Sequence, residues 1–200
     1  RAIKVSVIQS NMQAFQVQLN LADATWLELS EHFRERKLGK GDHLFEAGDN
    51  VSELFFIVKG LLRFYYLDLE GKEHNKSFAF SGGIVSSITS LVKNQPAPFY
   101  IQALSDALIY ALPYNKIVAM GEVDSHILKL QCSMLEQLAI KKEQREADFL
   151  LLNATQRYEK FLSEFEPIAD QIPNYHIASY LGITEVALSR IRKKMGLIGQ

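Results

Sequence analysis

Residues 172–195 read IPNYHIASYLGITEVALSRIRKKM, and this stretch decides how the rest of the chain is read. Tyr175 to Leu181 has the spacing of one short helix, with Ile177, Ala178 and Leu181 at i, i+1 and i+4 facing inward. Gly182 follows, the residue expected where a helix ends with positive φ. Thr184 is placed to cap a second helix by accepting an N–H from its first turn. On that helix Leu188 and Ile191 face the first one, and the small Ala178 permits close approach. Two helices joined by a turn of about three to four residues containing Gly form a helix-turn-helix.

The outer face of the second helix carries Glu185, Val186, Ser189, Arg190 and Lys193, flanked by Arg192 and Lys194. A helix fits the ~12 Å major groove of B-DNA, where Arg190 could pair bidentately with guanine O6 and N7 and Val186 could touch a thymine methyl. Thr184, Ser189 and Lys193 suit phosphates, which fix register. The plain alternative is a helical hairpin whose C-terminal cations only offset the helix dipole. A Gly after Leu, a capping Thr and cations confined to the outer face together favour DNA.

Moving upstream, Asn153 can cap a helix bearing Tyr158, Phe161, Leu162 and Phe165 on one face, ending before Pro167. Before it, about Val123 to Leu152 reads as one helix without Pro or Gly, roughly 45 Å long at ~30 residues. Ile127, Leu130, Met134 and Leu138 fall at spacings of 3, 4 and 4, like a coiled-coil seam between two chains. The run Lys141–Glu146 is polar enough for a surface helix. From Leu38 to Pro113, short runs of Val, Ile, Phe and Tyr alternate with turn signals roughly 8–12 residues apart, as in a compact β sandwich or barrel. LFFIVKG, LLRFYYLDLEGKEHNKSFAF and FYIQALSDALIYALP are the clearest strands, with a hairpin loop at Asp68–Gly71. Tyr114 to Met120 suggests a short helix. Residues 1 to about 36 suggest helix ended by Lys37-Leu38-Gly39.

Composition narrows the classes. With 48% hydrophobic and 22% charged residues the chain can bury a core, and disorder is excluded as its dominant state. Net charge is −1, so any basic patch must be local. The lone Cys132 allows no intrachain disulfide and no structural zinc or iron–sulfur site, which suits a reducing compartment. No apolar run reaches the ~18–20 residues needed to cross a bilayer, and the start RAIKVSVIQS lacks a signal-peptide core. Arg1 in place of an initiator Met is expected to mark a processed or trimmed start.

The chain resembles the Crp–Fnr family of bacterial transcription regulators over nearly all of residues 15–195. The resemblance rests on KGDHLFEAGD and LFFIVKGLLRFYY in a β-roll, then the long helix, then IASYLGITEVALSRIRKKM, which is most similar to Bacteroidetes-type members. It implies an α+β chain: a double-stranded β-roll sensor at 1–120, a dimerisation helix at 121–152, and an all-α, winged-helix-like DNA-binding domain at 153–200. It also implies a cytoplasmic homodimer that binds a palindromic operator in double-stranded DNA and contacts RNA polymerase, with no membrane association. Family recognition helices often open Ser-Arg-Glu-Thr. Here Glu185 and Val186 take the base-reading positions and only Arg190 matches, so a different operator is expected. The end at Gln200 is expected to leave the family's wing short or absent.

In cyclic-AMP-responding relatives a Gly-Glu pair and a following Arg-Ser or Arg-Thr hold the ligand. By this resemblance those positions fall on Ser86-Ser87 and Ala97-Pro98, and the adenine-contacting Thr-Ser pair falls on Lys142-Glu143. Losing both charged contacts should weaken cyclic AMP binding by at least ~10²–10⁴-fold. Arg63, Ser86, Ser87, Thr89, Phe99 and Tyr100 remain around the roll. They either hold an unknown uncharged or aromatic small-molecule effector or simply fill the roll. No cofactor and no metal site is expected: the five His are scattered, none within ten residues of another, which also disfavours a cupin-like enzyme. A cupin-like binding module, or a dimer whose C-terminal hairpin contacts protein, are the competing readings.

Overall fold

The computed structural model describes residues 11–198. Contacts divide them into two units. The first holds the described residues through Phe64 together with Phe78–Met134, and the second holds Tyr65–Ser77 and the residues from Leu135 onward. The expected change of domain at Asn153 marks a new helix, whereas the change of unit falls inside the long helix.

In the first unit residues 11–18 are helical (α1) and α2 spans Asp23–Ser30, with Asn20 between them at φ 50°. The strands are β1 (Arg34–Leu38), β2 (His43–Phe45), β3 (Glu53–Lys59), β4 (Leu61–Leu67), β5 (Glu73–Phe80), β6 (Ile84–Val85), β7 (Tyr100–Ala103) and β8 (Ala107–Pro113). Helix α3 (Ile88–Lys93) lies between β6 and β7. They form two four-stranded sheets, ordered β1-β8-β3-β6 and β2-β7-β4-β5. The β1–β8, β8–β3, β3–β6 and β2–β7 pairings are antiparallel. This is the expected double-stranded roll in an α+β chain.

Side-chain alternation on the central strands makes two cores. Phe55 and Ile57 of β3, with Ile109 and Ala111 of β8, meet Leu44, Phe45, Leu62, Phe64, Phe99 and Ile101 from the second sheet's side. Phe56, Tyr110 and Leu112 point the other way, into Met12, Phe15, Trp26, Leu29, Phe33, Ile117 and Ile127. Phe56 receives the edges of two rings, Phe15 at 5.3 Å and Phe33 at 5.1 Å. Each such side chain, taken from water, contributes ~1.5–3 kcal/mol.

One expectation fails here. Helix does not continue to residue 36, because Arg34–Leu38 pairs with β8 in the register Arg34↔Ala111 to Leu38↔Ala107. Arg34 to Lys37 are all exposed. An edge strand of this kind has no apolar alternation to announce it, and its partner lies about seventy residues away. Residues 1–10 of the expected helix lie outside the described residues.

The turn from β3 into β4 is held open by Gly60, at φ 116°. A Cβ there would sit 2.5 Å from the Ala107 methyl and 2.8 Å from its Cα. No side chain can occupy that position without moving β8.

Helix α4 spans Tyr114–Val123, and Asp124, in extended conformation, separates it from α5 (Ser125–Leu151). The Asp124 carboxylate accepts the His126 N–H at 2.8 Å and so caps α5. The second unit contains the later part of α5, α6 (Ala154–Glu164), a 3-10 turn (Ala169–Gln171), α7 (Asn174–Leu181) and α8 (Glu185–Lys194). Asn153 caps α6 reciprocally with Gln156, as its position suggested. Tyr158, Phe161, Phe165 and Tyr180 stack and cross at 5.0–6.2 Å between centroids to form this unit's aromatic core.

Candidate nucleic-acid interface

The interface is built from α7 and α8. Ile177, Ala178 and Leu181 bury one face of α7, and Leu188 of α8 is buried against them at 1% exposure. Ile191 is only half-buried. Gly182 ends α7 in the left-handed region, at φ 68° and ψ 34°. Its N–H reaches Ser179 O at 3.2 Å, and the Ile183 N–H reaches Ala178 O at 3.0 Å, so the last carbonyls of α7 are satisfied. Thr184 Oγ1 then accepts the Ala187 N–H at 3.2 Å and starts α8.

This geometry turns one face of α8 to solvent. Thr184, Glu185, Val186, Ser189, Arg190 and Lys193 are all exposed, with Val186 60% exposed. Lys194 is exposed as well. Arg192 behaves differently: it is half-buried and its NH1 donates to Asn174 Oδ1 at the start of α7. Its Nε is enclosed without a hydrogen-bond partner. Arg192 therefore braces the hairpin from behind, while Arg190, Lys193 and Lys194 supply positive charge outward. Helix α8 is ten residues long, about 15 Å, enough to lie in a major groove.

The four seam residues on α5 do not share one environment. Ile127 is 2% exposed and belongs to the core of its own unit, and Leu130 packs partly against that core. Met134 is half-buried, whereas Leu138 is exposed. Leu128 and Leu135, one residue beyond Ile127 and Met134, are 51% and 47% exposed. The expected 3-4-4 run thus merges two faces: its first residues pack inward, and the outward apolar face runs through Leu128, Leu135 and Leu138.

The structure gives each expected effector residue an internal partner. Arg63 is buried, with Nε and NH2 donating to Gln102 Oε1 at 2.8 and 2.6 Å. Ser86 Oγ donates to Glu53 O at 2.7 Å. Ser87 is fully buried and caps α3. Phe99 lies in the roll core against Phe45 and Phe64, and the Tyr100 ring is 5.9 Å from that of His43. Thr89 lies in α3 itself. Ala97, at the position of the relatives' Arg, is buried and bonded through its backbone to Gly48 and Asp49. Among the described residues no three of His, Cys, Asp and Glu converge as a metal site.

Sequence reasoning missed a polar clasp in the second unit. Asn75 is buried, and its Nδ2 lies 3.0 Å from His176 Nδ1 and 3.1 Å from His176 O. An amide nitrogen donates, so His176 Nδ1 accepts. The Asn75 N–H donates to Ser179 Oγ at 2.9 Å, and that hydroxyl donates to Glu73 O at 3.3 Å. The tip of the β4–β5 hairpin is thereby fastened to α7. Arg145 was also read as solvated. Instead its guanidinium lies 3.8 Å over the Tyr180 ring and donates to Tyr180 O at 2.9 Å. Burial, more than its charged neighbours, pushes the Tyr180 hydroxyl up to about 12. A buried His on the apolar face of α7 was the one sequence signal for the clasp.

Residues 35–124 match the cyclic nucleotide-binding domain family. The chain is 25% identical over 178 residues to an anaerobic regulatory protein of Aggregatibacter actinomycetemcomitans, covering 83% of this chain and 68% of that protein. It is 27% identical over 174 residues to the fumarate and nitrate reduction regulatory protein of Yersinia pestis, covering 79% and 67%. The chain thus matches about two thirds of the length of each. Among solved structures, FixK2 from Bradyrhizobium japonicum superposes with a TM-score of 0.72 at 17% identity, covering 84% of this chain and 88% of that one.

Proposed function

Because this chain is a relative of the Crp–Fnr transcription regulators, we propose that it is a homodimeric, sequence-specific DNA-binding regulator with a diverged effector pocket. The observation that carries the reading is the single exposed face of α8. Thr184, Glu185, Val186, Ser189, Arg190 and Lys193 stand on it while Leu188 anchors its back. In this reading Arg190 reads a base, Val186 meets a thymine methyl, and Thr184, Ser189 and Lys193 hold phosphates. Two copies pair along α5 through Leu128, Leu135 and Leu138, and place two α8 helices about 34 Å apart on a palindromic operator. RNA polymerase is the expected protein partner, the compartment is cytoplasmic, and the Bacteroidetes-type affinity of residues 177–195 is part of the proposal. Among the described residues no helix is long and apolar enough to cross a membrane. The chain acts by binding and performs no catalysis.

The pocket is not one for cyclic AMP. Ser86, Ser87 and Ala97 offer neither the carboxylate nor the guanidinium that its ribose and phosphate require, and both serines are engaged internally. Any effector of the roll is a small uncharged or aromatic molecule. Selection of genomic fragments on the purified chain tests the main proposal and should yield a twofold-symmetric site. Recovery of no enriched sequence would defeat it. Calorimetry should show no cyclic AMP binding in the micromolar range, and sub-micromolar affinity would overturn the pocket assignment.

A further inference from the structure

The second unit gathers cations where the β4–β5 hairpin meets α5. Lys142 and Arg145 are i, i+3 on α5 and so share a face. Lys76, from the hairpin, is about two-thirds buried and brings its ammonium within hydrogen-bonding range of Lys142, with Arg145 close enough to repel it. The Lys76 ammonium also lies 5.0 Å over the Tyr66 ring. Lys76 is held in place, because Asn75 beside it is locked to His176 and Ser179 by the clasp. Arg145 is held too, by Tyr180.

Nearby acids are already engaged. Glu164 pairs with Lys141 at 2.7 Å. Asp148, which feels Arg145, pairs with Lys160 at 2.7 Å and accepts from Gln144. Burial, then Lys142 and Arg145, push Lys76 down to about 7, and burial with Arg145 and Lys141 pushes Lys142 down as well. Like charges confined at such range repel and favour a counter-charge between them.

The geometry points to a binding site for a multiply charged oxyanion of the phosphate class, held by Lys76, Lys142 and Arg145 in the second unit. Two ammonium groups and one guanidinium match the charge and acceptor count of a phosphoryl group. The Tyr66 ring forms one wall beside Lys76. The site is separate from the exposed face of α8 and does not depend on the DNA-binding proposal.

Isothermal titration calorimetry of the full chain with inorganic pyrophosphate tests it, at pH 7, with ionic strength held constant by sodium chloride and in two buffers of different ionisation enthalpy. Saturable binding is expected, with uptake of about half a proton as Lys76 becomes fully protonated. Lys76→Met and Lys142→Met should each weaken binding ~10- to 100-fold, the loss of one charge-assisted contact. Lys76→Met should also abolish proton uptake. Both keep the apolar stem and remove repulsion, so without pyrophosphate each should melt no lower than the parent. Arg190→Ala should bind pyrophosphate as the parent does. A nucleoside 5′-diphosphate run alongside separates the sources: tighter binding than pyrophosphate assigns a phosphorylated metabolite, equal or weaker binding a free oxyanion. Three results would each overturn the site: no saturable binding, affinity unchanged in both lysine variants, or affinity lost in Arg190→Ala and retained in Lys142→Met.

Discussion

Replacing Gly182 by Ala probes the turn on which the DNA-binding reading stands. The left-handed conformation at φ 68° costs a non-glycine residue ~1–2 kcal/mol. The new Cβ would also lie 3.1 Å from Phe149 Cε1. Phe149 is 42% exposed and can swing outward, at an off-rotamer cost of ~0.5–1.5 kcal/mol. The sum is about 1.5–3.5 kcal/mol. Gly196 supplies the control. It has φ 72° and no atom within 4 Å of an added Cβ, so Gly196→Ala should cost the backbone part alone, ~1–2 kcal/mol. Equilibrium urea denaturation of both variants measures the difference as a shift in midpoint at constant slope. In a Phe149→Ala background the extra cost of Gly182→Ala should vanish, leaving the backbone part. An unchanged midpoint for Gly182→Ala would show that residue 182 is not held left-handed, and the helix-turn-helix assignment would fall with it.

Three further outcomes are expected. Arg190→Ala should leave the urea midpoint within about 0.5 kcal/mol, since its side chain is exposed, yet cost ~1–3 kcal/mol of operator affinity at one base position; an equal loss on every sequence in gel-shift titrations would reassign it to a phosphate. Leu135→Ala with Leu138→Ala should shift sedimentation toward monomer and weaken operator binding together, whereas a dimer of unchanged affinity would remove α5 from the interface. Stability should rise with pH between about 7 and 9. The buried Lys76, pushed down to about 7, sheds its proton in the folded state while the unfolded chain keeps it; so the slope is positive, at most ~1.4 kcal/mol per pH unit, and Lys76→Met should flatten it in urea titrations.

What the sequence revealed followed the range of the interactions involved. Gly182, Thr184 and Asn153 act within four residues, so α7, α8 and the cap of α6 were readable directly. The six outer residues of α8 followed from helical period, and all six are exposed. Strand β1 was not readable, because its four charged residues acquire their conformation only by pairing with β8. The face of α5 was readable in type but misplaced in register. A 3.6-residue period turns slowly past a seam, and Ile127 was claimed by its own core while Leu128 was left outside. The expected pocket residues were chosen by polarity. Polarity cannot show that Ser87 caps a helix or that Ser86 bonds a strand carbonyl. The Asn75–His176 clasp joins residues 101 positions apart, and no local pattern encodes that distance.

The missing atom at Gly60 has an evolutionary consequence. With the Ala107 methyl 2.5 Å and its Cα 2.8 Å from the site of any added carbon, shrinking residue 107 would not make room, and φ 116° forbids a side chain in any case. Position 60 is therefore closed to drift by two independent barriers, and no compensating change at one neighbour reopens it. Among diverged homologues it should stay fixed while the loops around it lengthen and shorten, a landmark from which the offset of every strand on either side can be counted.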